Sequence, residues 1–142
     1  MKHAKLSASG SARWLNCTGS VKAEAPFKNT TNSAAQEGTC AHELADIVLS
    51  KGVNSQDYLN KTLDDEPTVT VNQEMIDHVD GYVEYVKNLG GEQFYEVKLD
   101  FSHLVPEGFG TSDCIVFSDS TLHCVDLKYG RGYVDASNEW RS

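Results

Sequence analysis

The sequence predicts an α+β fold with α/β layering, in which N-terminal helices pack on a three-strand antiparallel meander. Two observations predict this class. Up to Gly90, apolar residues recur near the helical period of about 3.6 residues. After Gly91 they fall in short extended runs that are typical of strands. The chain has 142 residues, and we expect a single domain spanning 1–142.

Three helices are predicted in the first part of the chain. Ser7–Cys17 is expected to contain a short helix. Ser33 and Gln36 fit the S-x-x-Q capping box, which predicts the start of a helix over Ser33–Ser50. Asn72 precedes another apolar stripe of helical period and is expected to cap the third helix.

Three strands are predicted in the second part, over 93–101, 112–117 and 121–128. The apolar residues of the first strand do not alternate perfectly, because Phe94 and Val97 are three residues apart. The Ser-Asp-Ser sequence at 118–120 predicts a tight turn between the second and third strands.

The net charge of −9, from 21 acidic and 12 basic residues, limits the classes of partner. It argues against broad, non-specific binding of nucleic acid, which requires an extended basic face. It equally fits a protein that binds a basic surface on another protein. No apolar run approaches the roughly 18–20 residues of a membrane span, so we expect a cytoplasmic protein without a membrane partner. The four cysteines show no C-x-x-C spacing and are expected to be reduced thiols.

Candidate catalytic residues lie in two strand-associated segments. Asp126 and Lys128 are two residues apart, so on a strand they share a face. Asp113, in the segment Gly110–Asp113, lies one hairpin away. The two carboxylates and the Leu127 carbonyl oxygen would suit Mg²⁺, which prefers oxygen ligands. Such an ion would activate water against a phosphodiester, and the lysine would stabilise the developing negative charge.

Each of these features also has an ordinary explanation. An Asp–Lys pair two residues apart is most often a solvated surface pair. Here both Asp113 and Asp126 adjoin apolar strand runs, which favours a site. His42 lies on the second predicted helix, where a histidine without a functional role is common. Its neighbour Glu43 is expected to face solvent.

Taken together, the order of a helical histidine, G-x-x-D and D-x-K resembles the RecB-like branch of the PD-(D/E)XK nuclease superfamily. That branch includes the CRISPR-associated exonucleases, and the chain is most similar to its phage and prophage types. The resemblance covers 5–138. It is carried by the segments Leu6–Ser9, Arg13–Cys17, Glu37–Thr39, Ala41–Ala45, Gly110–Asp113 and Val125–Gly130.

The resemblance implies a restriction-endonuclease-like core and a bacterial cytoplasm as the site of action, with a phage or prophage gene as the source. It implies that His42, Asp113, Asp126 and the Leu127 carbonyl are ligands of Mg²⁺ or Mn²⁺. Asp113, Asp126 and Lys128 would be the catalytic residues.

The chain also departs from the family. Relatives continue past the D-x-K segment into a helix with a Q-x-x-x-Y motif, and some hold an iron–sulfur cluster on late cysteines. Neither feature is present here, so we expect a C-terminally truncated nuclease-like domain without a cluster. We also expect the segment Tyr129–Trp140 to associate with a second copy or a larger partner, because an unfinished sheet invites pairing.

Two functions remain open from the sequence. The first is a metal-dependent deoxyribonuclease with DNA as its substrate, favoured because all four candidate site residues are present. The second is a non-catalytic phage inhibitor of a host defence complex, of the anti-CRISPR type. It would bind a CRISPR effector protein through an acidic surface.

Overall fold

The computed structural model describes residues 5–7, 10–27 and 32–130. Within these ranges the chain forms helices and then a three-stranded antiparallel sheet with strand order β1-β2-β3. This confirms the α+β class. The helices are α1 Ser11–Asn16, α2 Ser20–Glu24, α3 Ser33–Lys51 and α4 Gln73–Leu89, and the strands are β1 Glu92–Asp100, β2 Phe109–Ser118 and β3 Thr121–Val125.

The described residues divide into two compact units. One contains 5–7, 10–27 and 98–111, and the other contains 32–97 and 112–130. In the first unit, the Trp14 indole N–H donates a 2.9 Å hydrogen bond to the Ser7 carbonyl, which anchors the predicted short helix α1. All the candidate site residues lie in the second unit.

Helix α3 begins with a different cap from the predicted one. Asn32 is the N-cap, and its side chain accepts a 2.8 Å hydrogen bond from the Ala35 amide. The predicted capping box at Ser33 is therefore wrong. Ser33 is already helical, and the Gln36 side chain donates to the Thr68 hydroxyl instead. The extended backbone of Asn32 lets its short side chain reach the free amides of the first turn.

Helix α4 begins as predicted, because the Asn72 side chain accepts a 2.9 Å hydrogen bond from the Met75 amide. The core of the second unit lies where α4 faces α3. Leu44, Met75, Ile76 and Val79 are fully buried there. Burial of a side chain of this size stabilises the fold by about 1.5–3 kcal/mol. A second buried cluster joins α4 to β2 and contains Val86, Cys114 and Val116.

The sheet differs from the prediction at the end of β3. This strand ends at Val125, whereas the sequence predicted that it would continue to Lys128. The reason is a change of hydrogen-bond partner: the Leu127 amide donates to the side chain of Asp113 instead of to a strand. The D-x-K segment therefore leaves the ladder and follows the strand.

The turn between β2 and β3 lies where the sequence predicted it. Ser118 pairs with Thr121, so Asp119 and Ser120 form a two-residue loop. Both have positive φ, of 48° and 62°. Positive φ at both central positions is characteristic of a type I′ turn, which matches the right-handed twist of the flanking strands.

No helix in the described ranges is long and apolar enough to cross a membrane. The four thiols take no part in a disulfide: Cys40 and Cys114 are buried, whereas Cys17 and Cys124 are exposed. The predicted association segment lies outside the described residues from position 131 onward. Its first residue, Tyr129, packs its ring edge-on against His78 with the ring centroids 5.3 Å apart.

Candidate metal centre

Three parts of the second unit bring the candidate residues together. Helix α3 carries His42, strand β2 carries Asp113, and the segment after β3 carries Asp126 and Lys128. The register explains how the two aspartates meet. Cys114 pairs with Val125, so Asp113 and Asp126 are the next residues beyond this pair, Asp113 still on β2 and Asp126 just after β3.

The contact that joins helix to sheet is between His42 and Asp113. The imidazole Nδ1 lies 3.3 Å from Oδ1 of the carboxylate. The side chains are 32% and 16% exposed, so the pair is shielded from solvent, more so on the aspartate side. His42 is therefore not an ordinary exposed helical histidine, because its ring faces a sheet carboxylate.

The other oxygen of Asp113 fixes the segment that follows β3. Oδ2 accepts a 2.8 Å hydrogen bond from the Leu127 amide. The Leu127 side chain is only 6% exposed and belongs to the core between α3 and α4. The backbone at Leu127 is thus held from both sides, which places its neighbours Asp126 and Lys128 at the same end of the sheet.

Asp126 and Lys128 form an ion pair between one carboxylate oxygen and the ammonium group. Both side chains are about half exposed. An ion pair with this exposure contributes little to stability, typically about 0–1 kcal/mol. The pair does, however, hold a positive charge beside the two aspartates.

The pKa values of His42 and Asp113 both shift in the direction that favours the charged form of each group. The hydrogen bond to Asp113 raises the pKa of His42, although burial opposes this. Burial also opposes ionisation of Asp113, but the hydrogen bond and charge of His42 outweigh it and lower the pKa of Asp113. The folded protein therefore favours an imidazolium facing a carboxylate.

Asp126 shifts in the opposite direction. Burial raises the pKa of Asp126, and the negative charge of Asp113 raises it further, against the lowering effect of Lys128. The two carboxyl groups lie close enough to influence each other's pKa. Asp126 is therefore the harder of the two carboxyl groups to ionise.

The chemistry of these groups fits a hard divalent cation. The donor set combines an imidazole nitrogen with carboxylate oxygens, and a doubly charged ion would offset the repulsion between the two aspartates. In the described ranges, no three His, Cys, Asp or Glu side chains are already arranged as a ligand set. His42 Nδ1 and Asp113 Oδ1 lie 3.3 Å apart, so an ion bound between them would replace their mutual contact.

A small cavity beside this pair contains functional candidates that the sequence did not identify. Its polar lining comes from His42, Asp46, Tyr82, Tyr95, Glu96 and Asp113. The spacing of Asp46, four residues after His42 on one helix face, was available in the sequence. Glu96 lies where the alternation of β1 is broken, which was the only signal for it.

Glu43 also has a role that the sequence did not predict. Glu43 was expected to be exposed, and it is half-buried instead; its two carboxylate oxygens accept 3.0 Å hydrogen bonds from the amides of Asp64 and Asp65. These bonds tie the loop between α3 and α4 to α3. In the A-H-E-L segment, His42 therefore contacts the site, while Glu43 supports the loop.

Gly38 lies near the start of α3, where the segment after β3 passes close to the helix. A Cβ atom at Gly38 would lie 3.3 Å from the carbonyl oxygen of Tyr129. This is tighter than an ordinary contact, so the absence of a side chain lets the segment after β3 pass close to the helix.

No solved structure matches the chain. A family model described as "Protein of unknown function (DUF2800)" matches residues 3–140, which is nearly the whole sequence. That description assigns no chemistry, so the site carries the functional argument. By this match, the chain belongs to the DUF2800 family.

Proposed function

We propose that this chain is a divalent-metal-dependent deoxyribonuclease with a RecB-like PD-(D/E)XK core. The observation that carries the proposal is the convergence of His42, Asp113, Asp126 and Lys128 at one end of the sheet. These residues come from a helix, a strand and the segment after the next strand. The resemblance to the nuclease motif depends only on the order of these residues in the sequence. Their proximity in the structure is therefore a separate argument for the site.

The burial of Asp113 argues against an ordinary solvated carboxylate at this position. Its side chain is 16% exposed, and both of its oxygens have partners within the chain. A network of this kind also occurs as a purely structural clamp, which here would hold the end of β3. The clamp alone gives no reason for a lysine beside two neighbouring aspartates.

In the proposed site, His42, Asp113, Asp126 and the Leu127 carbonyl would hold Mg²⁺ or Mn²⁺. The ion would polarise the phosphodiester and make water a better nucleophile. The Leu127 amide fixes the orientation of Asp113. Lys128 keeps Asp126 in place and supplies positive charge where the phosphate gains negative charge.

The test is cleavage of labelled single-stranded and double-stranded DNA with Mg²⁺, with Mn²⁺ and with EDTA. We expect the wild type to cleave only with metal. Lys128→Ala should reduce the rate by about 10²–10³-fold, as is typical for the loss of one group that stabilises transition-state charge. Lys87→Ala is the matched control, because Lys87 is exposed on α4 and lies outside the site.

Equal cleavage by wild type and Lys128→Ala would assign any activity to a contaminant or another site. A wild type that is inactive on both substrates with both metals would reject the nuclease proposal and favour a binding function.

A second candidate function is inhibition of a host defence complex such as a CRISPR effector, by protein binding. It is favoured by the net charge of −9 and by exposed carboxylates on one face of α4. These carboxylates belong to Glu74, Asp77, Asp80 and Glu84. An acidic face of this kind can occupy a basic groove and compete with DNA.

Pull-down against host effector complexes tests the inhibitor. The combined variant Asp77→Lys, Asp80→Lys should lose binding, whereas Lys128→Ala should retain it. The reverse pattern would reject binding through the α4 face.

A further inference from the structure

We propose that Glu96, on β1, is an additional carboxylate ligand of the divalent cation at this centre. The inference rests on the proposed metal centre and extends it to a third strand. Three observations support it: Glu96 lines the cavity, its backbone has a positive φ, and carboxylates lie near it.

Glu96 and its neighbour Tyr95 both line the cavity that contains His42 and Asp113. Consecutive residues of a regular strand point to opposite faces of the sheet, so they cannot share one cavity. Glu96 has a φ of 48°, which departs from strand geometry. This irregularity turns the Glu96 side chain toward the cavity, in the way that a bulge redirects a side chain.

The conformation is unfavourable for glutamate. A positive φ brings the Cβ atom of an L-residue close to its own backbone, and glycine would adopt it without that cost. Glutamate also lacks the short side chain with which Asn or Asp stabilises such a backbone by local hydrogen bonding. A residue kept at a strained position is a candidate for function, provided that its side chain has a target.

The charges around Glu96 identify that target. Burial and the nearby carboxylates of Asp113 and Asp46 raise the pKa of Glu96, and His42 is the one neighbour that lowers it. Across residues 5–7, 10–27 and 32–130, no side chain or amide donates a hydrogen bond to its carboxylate. Strain and repulsion thus act on one acidic residue, and a divalent cation between Glu96 and Asp113 would offset the repulsion.

The exposure of Glu96 leaves its side chain room to rotate toward an ion. It is exposed on the solvent side while it lines the cavity. Asp113, in contrast, is held by two contacts. An exposed carboxylate opposite a fixed one can complete the coordination shell of an ion that enters from solvent.

The experiment is calorimetric titration with Mn²⁺ of the wild type and of Glu96→Gln. We expect Glu96→Gln to weaken binding at least about tenfold, because the loss of a group that only supports a metal ligand already costs about 10–100-fold in affinity. Glu92→Gln removes the same charge from the exposed start of β1 and should leave the affinity within about twofold of wild type. Asp46→Asn removes a charge from the same cavity and measures the effect of the local field alone.

Glu96→Gly separates function from folding. Glycine removes the carboxylate and the strain together, so Mn²⁺ affinity should fall as in Glu96→Gln while the Tm stays equal or rises. A fall in Tm in both variants, with unchanged affinity, would make Glu96 a structural residue and overturn the inference. An equal loss of affinity in Asp46→Asn and Glu96→Gln would also overturn it, since charge alone would then explain the effect.

The outcome distinguishes this inference from the proposed function. A wild type that binds no Mn²⁺ rejects the metal centre, and the inference about Glu96 fails with it. A wild type that binds Mn²⁺, loses it in Asp113→Asn and keeps it in Glu96→Gln retains the centre and rejects only the role of Glu96.

Discussion

The backbone amide of Leu127 donates a 2.8 Å hydrogen bond to the carboxylate of Asp113. This bond replaces the strand pairing that β3 would otherwise continue. It gives the aspartate a fixed orientation, and it holds the adjacent D-x-K residues at the end of the sheet. One carboxylate thus serves the fold and the candidate site at the same time.

Divalent-metal binding is the first prediction for this arrangement. Calorimetry with Mn²⁺ should detect a weak site in the wild type that Asp113→Asn abolishes, because asparagine lacks the charge that attracts the ion. The amide side chain of this variant retains an oxygen that can accept the Leu127 hydrogen bond, so thermal denaturation should show a folded protein. Asp80→Asn, on the exposed side of α4, is the control. Unchanged binding in Asp113→Asn would show that the metal binds at another site.

The second prediction is a pH-dependent contribution of His42 to stability in metal-free protein. The hydrogen bond to Asp113 raises the pKa of His42 above its ordinary value of 6.5. The folded state therefore binds the proton more tightly, and the ion pair stabilises the protein fully below pH 6.5. This contribution is lost as the pH rises through the folded pKa.

The measurement is the free energy of unfolding in urea with EDTA, for wild type and His42→Gln, from pH 5 to pH 9. The difference between the two proteins should be largest at the acidic end and shrink toward the alkaline end. His123→Gln, in the hairpin of β2 and β3, corrects for general effects of losing a histidine. A difference that grows with pH would show that His42 is neutral in the folded protein.

The third prediction concerns the carboxylate that supports the loop. Glu43→Ala removes both bonds to Asp64 and Asp65, and it should lower the free energy of unfolding by about 1.5–3 kcal/mol, the contribution of a single hydrogen bond to a charged group. Solvent exposure of this contact favours the lower end of that range. Urea denaturation measures the change, with Glu84→Ala on α4 as the control. A loss equal to that of the control would mean that the loop is held by other contacts.

The fourth prediction tests the hairpin turn. Ser120 has a φ of 62°, where serine is strained and glycine is not. Ser120→Gly should therefore stabilise the protein by about 0.5–1 kcal/mol and raise the Tm. Ser118→Gly, at the last residue of β2, should lower it, because glycine in a strand costs entropy. If Ser120→Gly lowers the Tm, the loop is not a type I′ turn.

The order of the helices and strands and most of their bounds could be predicted from the sequence alone. The apolar stripe and the Asn72 cap predicted α4, and the spacing around Asp119 predicted the turn before β3. It also identified Asp113, Asp126 and Lys128 as candidates by their spacing. These features are local, since each depends on residues a few positions apart and on their periodic burial.

Which of these residues contact each other depends on the tertiary structure and could not be predicted from the sequence. That His42 faces Asp113 depends on how α3 packs against the sheet, and helical periodicity does not specify the strand that a helix face contacts. That Asp126 follows β3, instead of belonging to it, depends on the Leu127 amide finding a side-chain acceptor on another strand. Glu96 turns toward the cavity through a backbone conformation that glutamate rarely adopts, which no residue preference could have predicted.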